Sequence, residues 1–177
     1  MLEPKKKAIG IFGGSFDPPH KGHVKISKIS LKKIKLKKIY WVIAKKNPFK
    51  DKAFFSLKQR MQKSKKALKS FKNIEVLDLN NKIKSSRAIK VINYFIKVKK
   101  QKNLYLILGS DNLIKFHKWT SWKKIVKLVK LVVFSRKGYD KKSKESIVMK
   151  YLNKKNIIFI NNKLINISSS NIRKNIN

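Results

Sequence analysis

Short apolar runs alternate along the chain with lysine-rich stretches in which apolar residues recur at helical spacing. Residues 8–13 set Ile9 and Ile11 between small residues, as in a short buried strand. From about 20 to 33 the pattern turns helical, with Val24, Ile26, Ile29 and Ile34 among lysines. Residues 38–44, Lys-Ile-Tyr-Trp-Val-Ile-Ala, are near-continuously apolar and read as a second buried strand. Ser56 is placed to cap a helix running to about residue 70, with Leu57, Met61, Ala67 and Leu68 on its buried side. A third, short strand falls at 74–77, and an amphipathic helix at 86–99 carries Ala88, Ile89, Ile92, Phe95 and Ile96. A fourth strand at 104–108 leads into a helical turn at 111–116 and a helix at about 121–128. The fifth strand, 131–134, is followed by a helix near 143–153 and a strand at 157–160. Ser168 then caps a last helix holding Ile172 and Arg173.

Strands alternating with helices imply right-handed crossovers and an α/β fold, a Rossmann-like doubly wound, mostly parallel sheet with flanking helices. The 177 residues suffice for a single domain over 1–177. In such sheets ligands bind beyond the carboxyl ends of the strands. The turn at 13–23 follows strand one, Asn47-Pro48-Phe49-Lys50 strand two, Gly109-Ser110-Asp111 strand four and Arg136 strand five. These segments share one edge of the sheet, and that placement argues for one site.

The first of them carries the most chemistry. Gly13 and Gly14 admit backbone geometries closed to other residues and let a ligand approach the main chain. Asp17-Pro18-Pro19 forces a turn, since proline fixes φ and disfavours helix in the residue before it. A strand, a glycine turn and a helix N-terminus present unpaired N–H groups and a positive dipole end, a ready phosphate site. His20 and His23 lie at its mouth.

Composition changes the picture in two places. Lysine and arginine number 47 against 8 acidic residues, a formal net charge of +39. That balance suggests nucleic acid or an anionic membrane. Only Arg60, Arg87, Arg136 and Arg173 are arginines, the lysines spread over almost every segment, and isoleucine and asparagine are also heavily used. These three residue types share A/T-rich codons, so a biased genome explains the charge better than a nucleic-acid surface. Such a surface would gather its cations on one face with aromatics interleaved. The acids and histidines point the other way: all three histidines (His20, His23, His117) and two of the eight acids (Asp17, Asp111) sit inside two short motifs. There is no cysteine, which excludes disulfides and thiolate metal sites. With neither a signal-peptide run nor a stretch of membrane-span length, a soluble, cytoplasmic protein is expected.

Gly14-Ser15-Phe16-Asp17-Pro18-Pro19-His20-Lys21-Gly22-His23 resembles the paired-histidine signature of the nucleotidyltransferase superfamily, and Ile167-Ser168-Ser169-Ser170-Asn171-Ile172-Arg173 resembles its C-terminal partner. The segment 47–50, then Leu108-Gly109-Ser110-Asp111-Asn112-Leu113, Phe116-His117-Lys118-Trp119 with Trp122, and Arg136-Lys137-Gly138-Tyr139 resemble bacterial nicotinate-nucleotide adenylyltransferases, in order and over nearly the whole chain. Pantetheine-phosphate enzymes usually carry threonine in place of His20. The resemblance implies adenylyl transfer from ATP to nicotinate mononucleotide, giving deamido-NAD and pyrophosphate in NAD biosynthesis.

Such transfer needs positioning and neutralisation of phosphate charge more than covalent help. The resemblance implies backbone N–H groups of Gly14, Ser15 and Phe16 around phosphate, His20 and His23 gripping the triphosphate together, and Arg173 on the β- and γ-phosphates with Ser169 beside it. Phosphates there would stabilise imidazolium. It implies Gly109 and Asp111 on the nucleotide side, and Lys50, Ser86, Trp119 and Arg136 on the mononucleotide, with Trp119 stacking on the pyridine ring. Mg²⁺ would bridge the triphosphate, held by phosphate oxygens and water without a protein cage. Trp41 and Trp122 read as core aromatics, Asp17 as a cap on the 17–20 turn, and His117 either as orienting its loop or as a substrate contact. In place of a usual Tyr-Thr pair the chain has Ser85-Ser86-Arg87, and Lys137 replaces a usual proline. Relatives commonly continue for a helix past the point where this chain ends, which leaves oligomer contacts open. Two alternatives stay open: a sister enzyme preferring nicotinamide mononucleotide or another phosphorylated acceptor, and a basic nucleic-acid-binding protein.

Overall fold

The structure, a computed structural model, describes residues 8–45, 53–153, 155–161 and 169–174. Six parallel strands form one sheet in the order β3-β2-β1-β4-β5-β6: β1 (Ile9–Gly14), β2 (Lys38–Ile43), β3 (Ile74–Leu77), β4 (Leu104–Gly109), β5 (Lys130–Phe134) and β6 (Ile157–Ile160). The expected α/β fold and each expected strand are present. β1 lies at the centre, paired with β2 on one side and β4 on the other. The strand order reverses at β1, and there a crevice opens at the carboxyl edge.

Strand parity divides the apolar residues into two layers. Ile9, Ile11, Leu106, Leu108, Leu131 and Val133 face α4 (Ala88–Lys97), α6 (Trp122–Leu128) and α8 (Ile147–Leu152). Phe12, Ile39, Trp41, Ile107, Val132 and Phe134 face α1 (Lys21–Lys33) and α2 (Leu57–Ala67). Gly10 is set by this packing: a Cβ there would come within 3.1 Å of Leu36, Ile107 and Ile39.

Several boundaries differ from expectation for local reasons. The short helix α3 (Asn80–Ile83) precedes α4, and α5 (Ser110–Lys115) leads into a 3₁₀ turn at Phe116–Lys118. The helix expected near 143–153 is two helices, α7 (Asp140–Lys144) and α8, because Ser146 caps the second by accepting the Met149 N–H. Ser56 does cap α2, in a reciprocal capping box with Gln59. However, the fully buried line of α2 is polar, Arg60 and Ser64, while Leu57, Met61 and Ala67 are only half-buried. The last described helix is α9 (Ser169–Lys174); Ser168, expected as its cap, lies outside the described residues. Among the described residues no helix is long and apolar enough to cross a membrane.

Candidate active site

A cavity of about 550 Å³ opens over the carboxyl ends of β1, β2 and β4. Its floor is the turn between β1 and α1. Gly13 and Gly14 do not use the backbone freedom a glycine offers; both continue β1, and the left-handed residue is Phe16, at φ 46°. A non-glycine residue there costs about 1 kcal/mol or more, so packing must hold it. The Phe16 ring is buried and stacked on Trp41, with centroids 4.6 Å apart at 18°. Its side chain is therefore core, and only its main chain is available to phosphate. Trp41 is core as expected; its Nε1 donates to Ser27 Oγ at 2.8 Å, and that hydroxyl donates to the His23 carbonyl at 3.0 Å.

His20 is the N-cap of α1, and its ring lies 3.8 Å from that of His23. His20 Nδ1 accepts the Gly22 N–H at 3.1 Å, and His23 Nδ1 accepts the His20 N–H at 3.2 Å. A backbone N–H can only donate, so each ring carries its proton on Nε2 and keeps that nitrogen as a donor. Burial, and then the Arg136 cation, lowers the His20 pKa to about 4. Burial, and then His20 and Arg136, lowers that of His23 well below its ordinary value. Without phosphate the pair is neutral at pH 7. The same capping that starts the helix thus aims two N–H donors at the cavity.

The turn is braced from below. Asp17, 4% exposed, accepts the Phe54 and Phe55 N–H groups, each at 2.8 Å, instead of capping its own turn. Arg60, 2% exposed, donates to four carbonyls: Phe55 at 3.0 Å, Ser15 and Ala44 at 2.8 Å, and Lys45 at 3.1 Å. Arg173 Nη1 donates to the Asp17 carbonyl, Arg173 Nη2 to Ser170 Oγ, and Ser169 Oγ to the Pro18 carbonyl. Ser169 lines the cavity; the guanidinium of Arg173, expected on the β- and γ-phosphates, instead fastens α9 to the 17–18 turn. With one N–H on the Asp17 carbonyl, one on the Ser170 hydroxyl and the Asp17 carboxylate 3.9 Å away, Arg173 here braces the grip.

On the β4 side, Asp111 folds back over Gly109, where a Cβ would sit 2.4 Å from Asp111 Oδ1. The glycine makes room for this carboxylate rather than for a ligand. Asp111 Oδ2 pairs with Arg136 Nη1 at 2.7 Å, while Oδ1 is buried with no partner among the described residues. Arg136, expected on the mononucleotide, lines the cavity beside Asp111 and bears electrostatically on both histidines.

The remaining wall is made by the ends of β2, α3 and α4 with Trp119. Ser86 lines it, but its hydroxyl is committed to Asn80 Oδ1 at 3.0 Å. Asn80 also accepts the Lys45 N–H and donates to the Ile43 carbonyl and Asp78. Trp119 stacks one face on Phe116, centroids 4.7 Å apart at 29°, and its buried Nε1 has no partner among the described residues. His117 lies outside the cavity lining and donates to the Ile114 carbonyl at 3.0 Å, so it orients its turn. Trp122 is half-buried, packed on the core layer with one edge against Tyr151. Lys50 and the rest of 47–50 lie outside the described residues.

One cavity therefore gathers Gly14, Ser15, Phe16, His20, His23, Gly109, Asp111, Ser169, Ser86, Trp119 and Arg136 from distant parts of the chain. Sequence reasoning missed Arg60, Ser27 and Asn80. For Arg60 there was a signal: in a chain that uses lysine almost everywhere, each arginine marks a place where a planar fork is needed. Ser27 and Asn80 offered none.

The cytidylyltransferase-like family model matches residues 11–175. A Pelagibacter ubique protein named "Probable nicotinate-nucleotide adenylyltransferase" is 47% identical over 98% of this chain and 96% of that relative. A Clostridium tetani protein of the same name is 36% identical over 97% of this chain and 87% of its own length. The solved structure of Plasmodium falciparum nicotinic acid mononucleotide adenylyltransferase, complexed with NaAD, matches in fold with a TM-score of 0.75. The match covers 95% of this chain and 83% of that one, at 21% identity.

Proposed function

The chain belongs to the cytidylyltransferase-like family, and from that membership together with its 47% identity to a protein named nicotinate-nucleotide adenylyltransferase we propose that it is such an enzyme: it transfers the adenylyl group of ATP to nicotinate mononucleotide, giving deamido-NAD and pyrophosphate for NAD biosynthesis. An oxygen of the mononucleotide 5′-phosphate attacks the α-phosphorus in line; the bond to the bridging oxygen of the β-phosphate breaks, and pyrophosphate departs with the electron pair.

The observation that carries the reading is that a single cavity joins a phosphate grip to an aromatic wall. At the grip, His20 and His23 offer Nε2–H donors fixed before the substrate arrives, and the α1 N-terminus adds its dipole. Main-chain N–H groups of Gly14, Ser15 and Phe16 complete the cradle. Arg136 supplies positive charge on the same side once phosphate draws it from Asp111, which is then able to accept a ribose hydroxyl. At the wall, the face of Trp119 turned from Phe116 is suited to a pyridine ring, with Ser86 at the ring's edge and Lys50 as a counter-charge to the acceptor phosphate. Asp17 is engaged by main-chain N–H groups and Asp111 by Arg136, and no cluster of three or more histidine or acidic residues among the described residues could hold a metal. Mg²⁺ brought with ATP would be held on phosphate oxygens and water, and would supply neutralisation of charge on the leaving group.

The test is pyrophosphate release from purified protein given ATP and Mg²⁺ with nicotinate or nicotinamide mononucleotide. Release is expected with nicotinate mononucleotide, at a kcat/KM at least about tenfold above the amide, the size of one well-used polar contact. Faster release with the amide would move the enzyme to the sister specificity, and silence with both would overturn the reading.

A further inference from the structure

Arg60 lies outside the cavity, touches none of its space, and yet is among the most buried side chains of the molecule, at 2% exposure. A buried guanidinium is expensive to desolvate and persists only where its donors are used. Four of its five N–H groups are used, and all four go to main-chain carbonyls. Those carbonyls do not belong to one element. Ser15 follows β1, Ala44 and Lys45 follow β2, and Phe55 leads into α2, the helix that carries Arg60 itself. Nη1 alone bridges the ends of the two strands, with 2.8 Å bonds to both Ser15 and Ala44.

The two strand ends are the two halves of the site. Gly14 and Ser15 belong to the phosphate grip, while Val42, Ile43 and Ala44 border the wall with Asn80 and Ser86. The sheet sets their separation only as far as the last ladder bond, in which the Ala44 N–H donates to the Gly14 carbonyl at 2.9 Å. Past that bond no further main-chain hydrogen bond joins the two chains among the described residues. The next tie described between them is the Arg60 fork.

We propose that Arg60 is a positioning residue that fixes the spacing between the two substrates, holding the turn that grips ATP at a set distance from the strand end that borders the phosphorylated acceptor. The inference rests on the adenylyl-transfer reading. In-line attack requires the acceptor oxygen about 3–3.5 Å from phosphorus, and a misplacement of about 1 Å can cost a hundredfold in rate. A residue with this role acts on turnover and leaves the affinity for each substrate alone. Lysine at the position keeps the charge but has no planar fork with which to bridge two carbonyls.

The test compares wild type with Arg60→Lys and Arg60→Gln, using kcat and KM from pyrophosphate release, ATP affinity by calorimetry without acceptor, and thermal melting to establish folding at the assay temperature. For folded Arg60→Lys, kcat should fall by about 30- to 100-fold while KM for the mononucleotide and Kd for ATP stay within about threefold. Unchanged kcat would overturn the proposal. So would a loss of ATP affinity matching the loss of kcat, which would make Arg60 a support of the grip alone. If neither variant folds, Arg60 is a folding determinant and the proposal is likewise wrong. A wild-type protein that turns over no mononucleotide would instead defeat the functional reading on which this one stands.

Discussion

The two sides of the cavity are built on opposite principles. On the β1–β2 side the histidines, carboxylate and arginine that form or brace the phosphate turn are engaged by the protein itself, and the unpartnered hydroxyls of Ser30 and Ser64 lie outside the cavity lining. His20 and His23 have Nδ1 filled, Asp17 accepts two N–H groups, and Arg60 donates to four carbonyls. On the β4–β5 side, groups are left over or occupied with each other. Asp111 Oδ1 and Trp119 Nε1 are buried without partners among the described residues, and Arg136 is paired to the carboxylate beside it. The first side is set before any ligand arrives and offers Nε2–H groups, main-chain donors and the Ser15 hydroxyl. The second has unmet hydrogen-bonding capacity that a ligand could meet. A preformed donor array costs no reorganisation at the moment of reaction, which suits transition-state charge. Unsatisfied groups are penalised until a partner binds, which suits recognition. The comparison assigns kcat to one side and KM to the other.

The largest expected effect tests the first half of that statement. His20→Asn keeps a helix-capping side chain but lacks Nε2, and His23→Ala removes the other donor. Each should lower kcat by about 10²- to 10³-fold, the typical value of one donor to a developing oxyanion. Steady-state pyrophosphate release measures it. Were His20→Asn to keep its turnover, the histidine would matter only as a cap, and the preformed side would be architecture without chemistry.

The second half predicts a smaller effect of a different kind. Trp119→Ala removes the ring face and the unpartnered Nε1 together, and should raise KM for nicotinate mononucleotide about tenfold with kcat held within about threefold. Trp119→Phe restores a face but no N–H donor and should recover part of the loss. A fall in kcat equal to that of the histidine variants would erase the distinction between the two sides.

The same contrast explains what could be read in the sequence. Strand periodicity and turn residues reveal which segments reach the carboxyl edge, so the six strands and the gathering of His20, Asp111, Trp119 and Arg136 were legible. Those features are local in sequence or fixed by topology. The bracing was not, because it joins residues through main-chain carbonyls that leave no trace in side-chain pattern. Asp17 reads as a cap for its own turn, yet its partners are Phe54 and Phe55. Arg60 entered only as one of four arginines, with no place assigned to it, yet it is buried under the turn. Gly13 and Gly14 read as the flexible part of the motif, but it is Phe16 that takes the left-handed conformation, held there by Trp41. Asp111 and Arg136 were both assigned to substrates; nothing in their spacing shows that without a ligand they would satisfy each other.

The smallest effect concerns the acid side of stability. His20 has a pKa of about 4 in the fold against 6.5 unfolded. Between those values the unfolded chain binds more protons than the folded one, so stability is full above pH 6.5 and falls as pH drops toward 4. The lowered pKa of His23 acts in the same direction. Thermal melting of the wild type between pH 7 and 5 should therefore fall more steeply than that of His20→Asn, which has no such proton to take up. A difference of about 2–4 °C corresponds to 1 kcal/mol in a chain of this size and is an upper bound, since His20 is partly solvated. ATP sharpens the test, because phosphate oxygens next to the ring favour the protonated form and so oppose the burial and the Arg136 cation. With saturating ATP the two curves should converge. Parallel curves without ligand would mean that the rings are not held neutral by their surroundings, and the preformed side of the cavity would lose its electrostatic part while keeping its geometry.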